Sequence, residues 1–393
     1  MKTDLAGAEN YVLQEAISAL ADEAYTNARK LTGTGIVGAN DQINRNTETF
    51  VGQIRWRKPL NPTINVASLT NPTDGSKTSS AQEYLRYIKT VRTHGAEKVN
   101  MQAVVTQEDG LAKVANDIVE TRSQDEHNAM LAVLKGIALT EALYGAAAAS
   151  GSAGLGGQTF ENDPTNKRYG FYVDLADAKP VVAPSANIQG AARAEGFLQA
   201  LGKAYKDYEP EYCYLISSPE TIASLRSANL VDKDSVTEGN VTFNTIFQGK
   251  FRLIQTRASQ GFTSAELAKI NTGAGVDIVG TKTSFIVLPS ALAYEMLDVP
   301  DAVEIGRKAA AYNGGGSTEL WYRWGYVLAP AGYDWIGAED AFPTDASYRF
   351  AKEGADPKDF LTVASGTLAS TTGTWNRKFT SALSLGILPV FHS

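Results

Sequence analysis

The fold is decided by the stretch Leu111-Ala-Lys-Val-Ala-Asn-Asp-Ile-Val-Glu-Thr-Arg-Ser-Gln-Asp-Glu-His-Asn-Ala-Met-Leu-Ala-Val-Leu-Lys-Gly-Ile-Ala-Leu-Thr-Glu-Ala-Leu-Tyr144. Its apolar residues recur at intervals of three and four, without proline and with one glycine, Gly136. This spacing predicts an amphipathic helix, which would be roughly 50 Å long at 1.5 Å per residue if it is continuous. The alternative is a break near Ser123, because Ser123-Gln-Asp-Glu126 fits a helix-capping box.

Two further elements are predicted before this helix. Residues 11–31 have helical spacing, and the apolar stripe of that helix needs a cover from the chain's own core or from another subunit. The stretch from Thr49 to Leu60 alternates, with Ile54 on one face and Arg55 on the other, which predicts a strand. The turn-rich stretch after it is too long for an ordinary connection. We therefore expect a projecting hairpin, with its return limb within residues 81–105.

Helices and strands interleave after the long helix, which predicts an α/β or α+β subdomain. The predicted helices are Ile188 to Tyr208 and Pro219 to Ala228. The predicted strands are Tyr212 to Ser217, Gly249 to Thr256, Thr283 to Leu288, Glu319 to Leu328 and Leu385 to Phe391.

The composition favours an ordered globular protein with an acidic balance. The 393 residues include 36 Lys and Arg against 43 Asp and Glu, for a formal charge of −7. The chain therefore lacks the overall basic character of a protein that holds nucleic acid tightly. One cysteine, Cys213, cannot build a disulfide framework, and we expect it to be buried. No apolar run is long enough for a signal or a membrane span, so we expect a cytoplasm-like compartment.

The motifs of catalytic and cofactor sites are weak. Gly33-Thr-Gly-Ile-Val-Gly38 has dinucleotide-fingerprint spacing, but that fingerprint needs a strand before it and a helix after it, which the sequence does not predict here. The histidines, His94, His127 and His392, do not have metal-ligand spacing. We expect no catalytic residue, no metal and no cofactor.

The stretch Arg55-Trp-Arg-Lys58 is a basic and aromatic patch on the predicted hairpin. It could contact phosphates and stack on bases, or it could present cations to an acidic protein neighbour. The second interpretation is favoured, because the chain is otherwise acidic and repeated protein contacts need complementary charge.

The order of these parts resembles the major capsid proteins of tailed bacteriophages, which have the Hong Kong 97-type fold. Leu111 to Gly136 resembles their spine helix, and Phe197-Leu-Gln-Ala-Leu-Gly202 with Tyr214-Leu-Ile-Ser-Ser-Pro-Glu220 resembles part of their axial domain. Glu319-Leu-Trp-Tyr-Arg-Trp-Gly-Tyr-Val-Leu-Ala-Pro-Ala-Gly-Tyr333 resembles a strand followed by a Pro-x-Gly-aromatic turn. Where that family often has a histidine before this turn, the present chain has Ala329.

The resemblance implies a division of the chain and a set of partners. It implies an N-terminal arm (1–47), an extended loop (48–108), a peripheral domain with the spine helix (109–174 and 298–378) and an axial domain (175–297 and 379–393). The implied partners are other copies of the chain in pentamers and hexamers, a portal protein, and scaffolding or decoration proteins. The shell would enclose double-stranded DNA without sequence-specific binding, would assemble in the host cytoplasm, and would end in the virion.

On the extended loop, the residues expected to contact a neighbouring subunit are Arg55, Trp56, Arg57, Lys58, Asp74 and Tyr84. Two alternatives stay open at this point. One is an encapsulin-like cellular shell that encloses protein cargo. The other is a cytosolic dinucleotide-binding enzyme that uses Gly33 to Gly38.

Overall fold

The structure of the protein is a computed structural model. It describes residues 34–57, 82–99, 110–149, 173–174, 196–202, 204–205, 210–227, 229–238, 241–255, 282–311, 316–337, 339, 341–343, 375–378 and 385–392. The predicted helix at 11–31 lies outside the described residues.

The first sheet is built around one long strand. Its strands are β1 (Val37–Gly38), β2 (Val51–Arg57), β3 (Gln82–Val99), β10 (Leu292–Met296), β11 (Val303–Lys308) and β12 (Ser317–Pro330). Their order is β1-β10-β12-β3-β2, and β11 also pairs with β12. Only the β1–β10 pair is parallel. β12 therefore lies in the middle, between β3 on one side and β10 and β11 on the other.

Helix α1 (Gly110–Ala149) packs against the first sheet. The hydroxyl of Tyr322 accepts a hydrogen bond from Arg122 (2.7 Å), and Trp324 and Tyr326 donate to the carboxylate of Asp125 (3.1 and 3.0 Å). Since alternate residues of a strand point to opposite faces, the even-numbered residues of β12 face this helix. Every residue from 129 to 138 is buried, so this part of α1 is covered on all sides.

The second sheet has seven strands in the order β4-β15-β9-β5-β8-β7-β6. These are β4 (Val173–Asp174), β5 (Cys213–Ser217), β6 (Val231–Glu238), β7 (Val241–Ile246), β8 (Phe251–Gln255), β9 (Lys282–Val287) and β15 (Ile387–His392). Helix α2 (Pro219–Ser227) follows β5, and residues 196–202 are also helical. β5 and β15 are buried along their whole length, as expected for strands covered on both faces.

A two-stranded unit, β13 (Tyr333–Trp335) with β14 (Trp375–Arg377), is attached to α1 by a buried ion pair. The guanidinium of Arg377 donates to Glu141 at 2.7 Å, and both side chains are fully buried. Tyr333 donates to the other oxygen of Glu141 at 3.0 Å. Burial, together with the charge of Glu141, raises the pKa of Tyr333 well above its usual value. This phenol therefore stays a donor.

The structure confirms the α+β prediction and most of the predicted elements. The helix at 111–144 is confirmed and is continuous, so the alternative of a break near Ser123 is wrong. It is continuous because Ser123 is buried in mid-helix, next to Arg122, whose partners Glu126 and Tyr322 hold this turn in place. The return limb of the hairpin, whose pattern is mixed, forms the single strand β3. None of the helices among the described residues is long and apolar enough to span a membrane.

Replacing Arg377 with methionine tests the buried ion pair. The variant leaves the Glu141 carboxylate buried without its cation, which costs about 3–5 kcal/mol. We expect the free energy of unfolding, measured by urea titration, to fall by that amount. The matched control is Arg45→Met, because Arg45 pairs with Glu295 while its side chain is 55% exposed. That change should cost less than about 1 kcal/mol, and equal losses in the two variants would contradict the assigned role of the Glu141 pair.

Candidate subunit-contact surface

The hairpin is an extension of β3, the strand next to β12 in the first sheet. β2 and β3 pair antiparallel from Val51–Ile88 to Arg57–Gln82. The next part of the same strand, from Lys89 to Val99, pairs with β12. The hairpin therefore continues the backbone ladder of the body, and its direction is fixed at the residues where β3 changes partner.

The structure brings together two of the predicted contact residues, Arg55 and Tyr84. They lie opposite each other in the β2–β3 register, and the guanidinium carbon of Arg55 is 5.5 Å from the centre of the Tyr84 ring. This is a cation–π contact. The side chain of Tyr84 is 52% exposed, and Arg55 is also exposed. We name these two residues the hairpin pair. It presents an aromatic face and a positive charge to the outside.

The other predicted contact residues are placed only in part. Trp56 and Arg57 lie in β2, opposite Glu83 and Gln82. Lys58 and Asp74 lie outside the described residues, and their contact role stays a prediction.

The root of the hairpin is held by a small second core. It consists of Ile43, Ile54, Tyr87, Ala293, Leu297, Val327 and Ala329. The ring of Tyr87 lies across Gly52, where a β-carbon would be 2.2 Å from the ring. Its hydroxyl accepts a hydrogen bond from the backbone N–H of Asn44 at 2.9 Å. Gly52 is therefore required by close approach, and Tyr87 ties the segment before β2 to β3.

A buried lysine, two residues after Tyr87 on β3, fixes the same root. The ammonium of Lys89 donates to the carbonyl and side-chain oxygens of Asn46 (2.5 and 3.0 Å) and to the hydroxyl of Thr49 (3.1 Å). Burial lowers the pKa of Lys89, and the nearby Glu48 partly offsets this. These bonds hold the turn before β2 against β3, so the start of the hairpin has one position.

The second exposed aromatic surface lies on the face of the first sheet opposite α1. Trp321 is 42% exposed, and its ring lies against Gly95 of β3, where an added β-carbon would be 2.7 Å away. Ion pairs flank it on both sides: Arg323 with Glu304 at 2.7 Å, and Lys308 with Glu319. We name this surface the Trp321 face. The sequence predicts a strand that contains Trp321. It carries no signal that this side chain is exposed, because the exposure depends on the pairing of β3, β11 and β12.

One buried arrangement has the residue types of nucleophilic catalysis. The hydroxyls of Ser217 and Ser284 are 2.7 Å apart, and Ser284 is 2.7 Å from Nε2 of His392. The three residues are between 0% and 2% exposed, so a substrate cannot reach them. Their bonds join β5, β9 and β15, which is a structural role.

The remaining candidate chemistry also lacks a site in the described part of the chain. Val37–Gly38 forms β1, and the residues from there to β2 contain no helix, so the strand–turn–helix of a dinucleotide site is not formed after Gly38. Gly33 lies outside the described residues. Among the described residues, no group of three or more His, Cys, Asp and Glu side chains could hold a metal ion.

No protein-family model matches the sequence, and no curated protein matches it. The chain is similar to solved capsid structures of bacteriophages. The capsid of Ralstonia phage GP4 matches at 10% identity and a TM-score of 0.46, over 76% of this chain and 83% of that chain. The head of Helicobacter pylori bacteriophage KHP40 matches at 8% identity and a TM-score of 0.42, over 91% and 90%. The mature capsid of bacteriophage PhiM1 matches at 11% identity and a TM-score of 0.42, over 73% and 81%. These are distant likenesses of fold.

The thiol of Cys213 is predicted to be inert in the folded chain. Burial raises its pKa to about 12, with the nearby Lys250 acting in the opposite direction. Because the thiolate is the reactive form, the native protein should not react with a disulfide reagent such as Ellman's reagent at pH 8. In denaturant, one thiol per chain should react. Rapid labelling of the native protein would show that β5 opens to solvent.

Proposed function

We propose that this chain is the major capsid protein of a tailed bacteriophage, with the Hong Kong 97-type fold that its sequence resembles. Copies would assemble through pentamers and hexamers into an icosahedral shell around double-stranded DNA. The arm (1–47), extended loop (48–108), peripheral and axial domains are part of the proposal. So are the portal, scaffolding and decoration partners, assembly in the host cytoplasm, and the absence of catalytic activity.

The observation that carries the proposal is the position of the hairpin pair. Arg55 and Tyr84 are exposed on a hairpin whose root is fixed by a core, a buried lysine and a continuous strand. An exposed aromatic and guanidinium pair on a rigid support is typical of protein contacts, where tyrosine, tryptophan and arginine contribute most of the binding energy. The fixed root reduces the ordering cost of binding. The hairpin therefore has the properties of a contact element.

The Trp321 face fits the hairpin pair of a second copy. Its exposed indole ring offers an aromatic surface, and Glu304 and Glu319 lie beside it with their cations Arg323 and Lys308. The guanidinium of Arg55 and the ring of Tyr84 from a second copy would stack on the indole ring. The carboxylates would attract the guanidinium charge. Because the two surfaces belong to the same chain but differ, the contact is head to tail and closes into rings when the rotation allows it.

The acidic balance of the chain supports a shell that encloses DNA without binding it tightly. A formal charge of −7 gives little attraction for phosphates. Modest contacts that repeat around rings and between them add up to a stable shell.

Negative-stain microscopy of the expressed chain tests the proposal directly. We expect closed icosahedral particles or capsomer rings, alone or with a scaffold protein. Monomers alone at high concentration, with or without co-expressed scaffold, would contradict the proposal. Particles that contain protein cargo instead of nucleic acid would favour the encapsulin-like alternative.

Charge reversal at the hairpin pair tests the contact. In Arg55→Glu with Tyr84→Ala, the positive charge and the aromatic face are lost at exposed positions, so the fold should remain. We expect normal circular dichroism, with loss of particles measured by sedimentation. The matched control, Arg226→Glu, reverses an exposed charge on α2 and should assemble. Normal assembly of the hairpin variant would refute the contact.

Deleting residues 61–79 tests the extended loop as a whole. These residues lie outside the described part of the chain, and the β2–β3 pairs from 51–57 with 82–88 are retained. We expect a folded subunit that cannot close shells, seen by microscopy. Shells of normal appearance from this variant would show that the loop is placed wrongly.

A further inference from the structure

We propose that Asp334 is the positioning residue of the hairpin: its carboxylate connects the body of the chain to the hairpin root and sets the direction in which Arg55 and Tyr84 are presented. This inference deepens the proposed function, since it concerns the orientation of the proposed contact element. The contacts that carry it lie within one chain.

The need for such a residue arises where β3 loses a strand partner. On the side of β3 away from β2, β12 pairs only as far as Lys89. β12 ends at Pro330, and the chain turns through Gly332, whose φ of 84° favours glycine. Beyond this point a side chain replaces the strand, because the backbone N–H of Arg86 donates to Oδ1 of Asp334 at 2.6 Å. The carboxylate thus continues the pairing of β3 into the hairpin.

The charge of Asp334 is balanced from the hairpin and from the body. The guanidinium of Arg86 lies against both carboxylate oxygens, at 3.3 to 3.4 Å, and also donates to Glu339 at 2.6 Å. The ammonium of Lys378 is 3.8 Å from Oδ2. The side chain of Asp334 is 5% exposed, against 35% for Arg86. A charge-assisted bond in such a shielded place is stronger than one between exposed groups.

The strand that carries Asp334, β13, is itself held in place by polar contacts with α1. Its neighbour Tyr333 points to the opposite side of β13 and donates to Glu141 of α1. Arg377, which lies opposite Tyr333 in β14, pairs with the same carboxylate. A continuous series of polar contacts therefore runs from the buried helix through β13 to the root of the hairpin, and the carboxylate of Asp334 makes the bond to β3.

Hydrogen–deuterium exchange of the unassembled full-length chain tests this role. In Asp334→Ala we expect the amides of residues 82–88 and 51–57 to exchange at least about tenfold faster, as follows from losing a bond to a charged group. Residues 129–138 of α1 should keep their protection. Asp334→Asn keeps an oxygen acceptor for the Arg86 N–H and loses the charge, so its exchange should lie between alanine and wild type. Arg86→Met keeps the backbone bond and should also be intermediate.

The matched control is Glu319→Gln, which removes a carboxylate that pairs with Lys308 and should leave residues 82–88 unchanged. Wild-type exchange at 82–88 in Asp334→Ala would overturn the proposal. So would an equal loss of protection in α1, because Asp334 would then support the whole fold. If the exchange pattern appears but no shells form, the proposed function fails and this inference stands. If shells form but exchange at 82–88 in Asp334→Ala is unchanged, the proposed function stands and this inference fails.

Discussion

The backbone pairing of β3 with β12 is the interaction on which the other elements depend. It runs from Val99–Ser317 to Lys89–Val327 without a break in register. One face of β12 packs against α1. The edge of β12 that does not pair with β3 pairs with β10 and β11. β3 continues beyond this ladder as one limb of the hairpin. A shift by one residue would turn each inward side chain of β12 outward, so this register determines the helix contact and the direction of the hairpin together.

Polar bonds then select one position of α1 on that sheet. Apolar packing has little directional preference, whereas each hydrogen bond needs a defined distance and angle. Asp125 accepts from Trp324 and Tyr326 near the middle of the helix, and Glu141 binds Tyr333 and Arg377 further along. These two carboxylates lie over different strands. Together they fix both the rotation and the position of the helix along its axis.

Elements with a local signal could be predicted from the sequence, and contacts between distant residues could not. The period of 111–144 and the apolar runs of β5, β9 and β15 are local patterns, and the structure has these elements. β3 has a weaker local signal, because Thr93-His-Gly-Ala-Glu97 has no apolar alternation and is held by its pairing with β12. The sequence predicts Arg55 and Tyr84 as separate contact residues, whereas their pairing depends on the hairpin register. The bond between Arg86 and Asp334 joins residues 248 positions apart, and no local sequence pattern predicts it.

The edge strand β11 has a consequence for the chain at high concentration. Within the described part of the chain, β11 has a strand partner on one side of its backbone, β12. Such edges are templates on which identical chains can add to form insoluble aggregates. β11 ends in Arg307 and Lys308, both exposed. Charged side chains on an edge strand, lysine above all, oppose the addition of a further strand and so oppose open-ended sheet growth. At high concentration, association through side-chain surfaces is thereby favoured over association through the backbone edge. The geometry of those surfaces limits the size of the assembly.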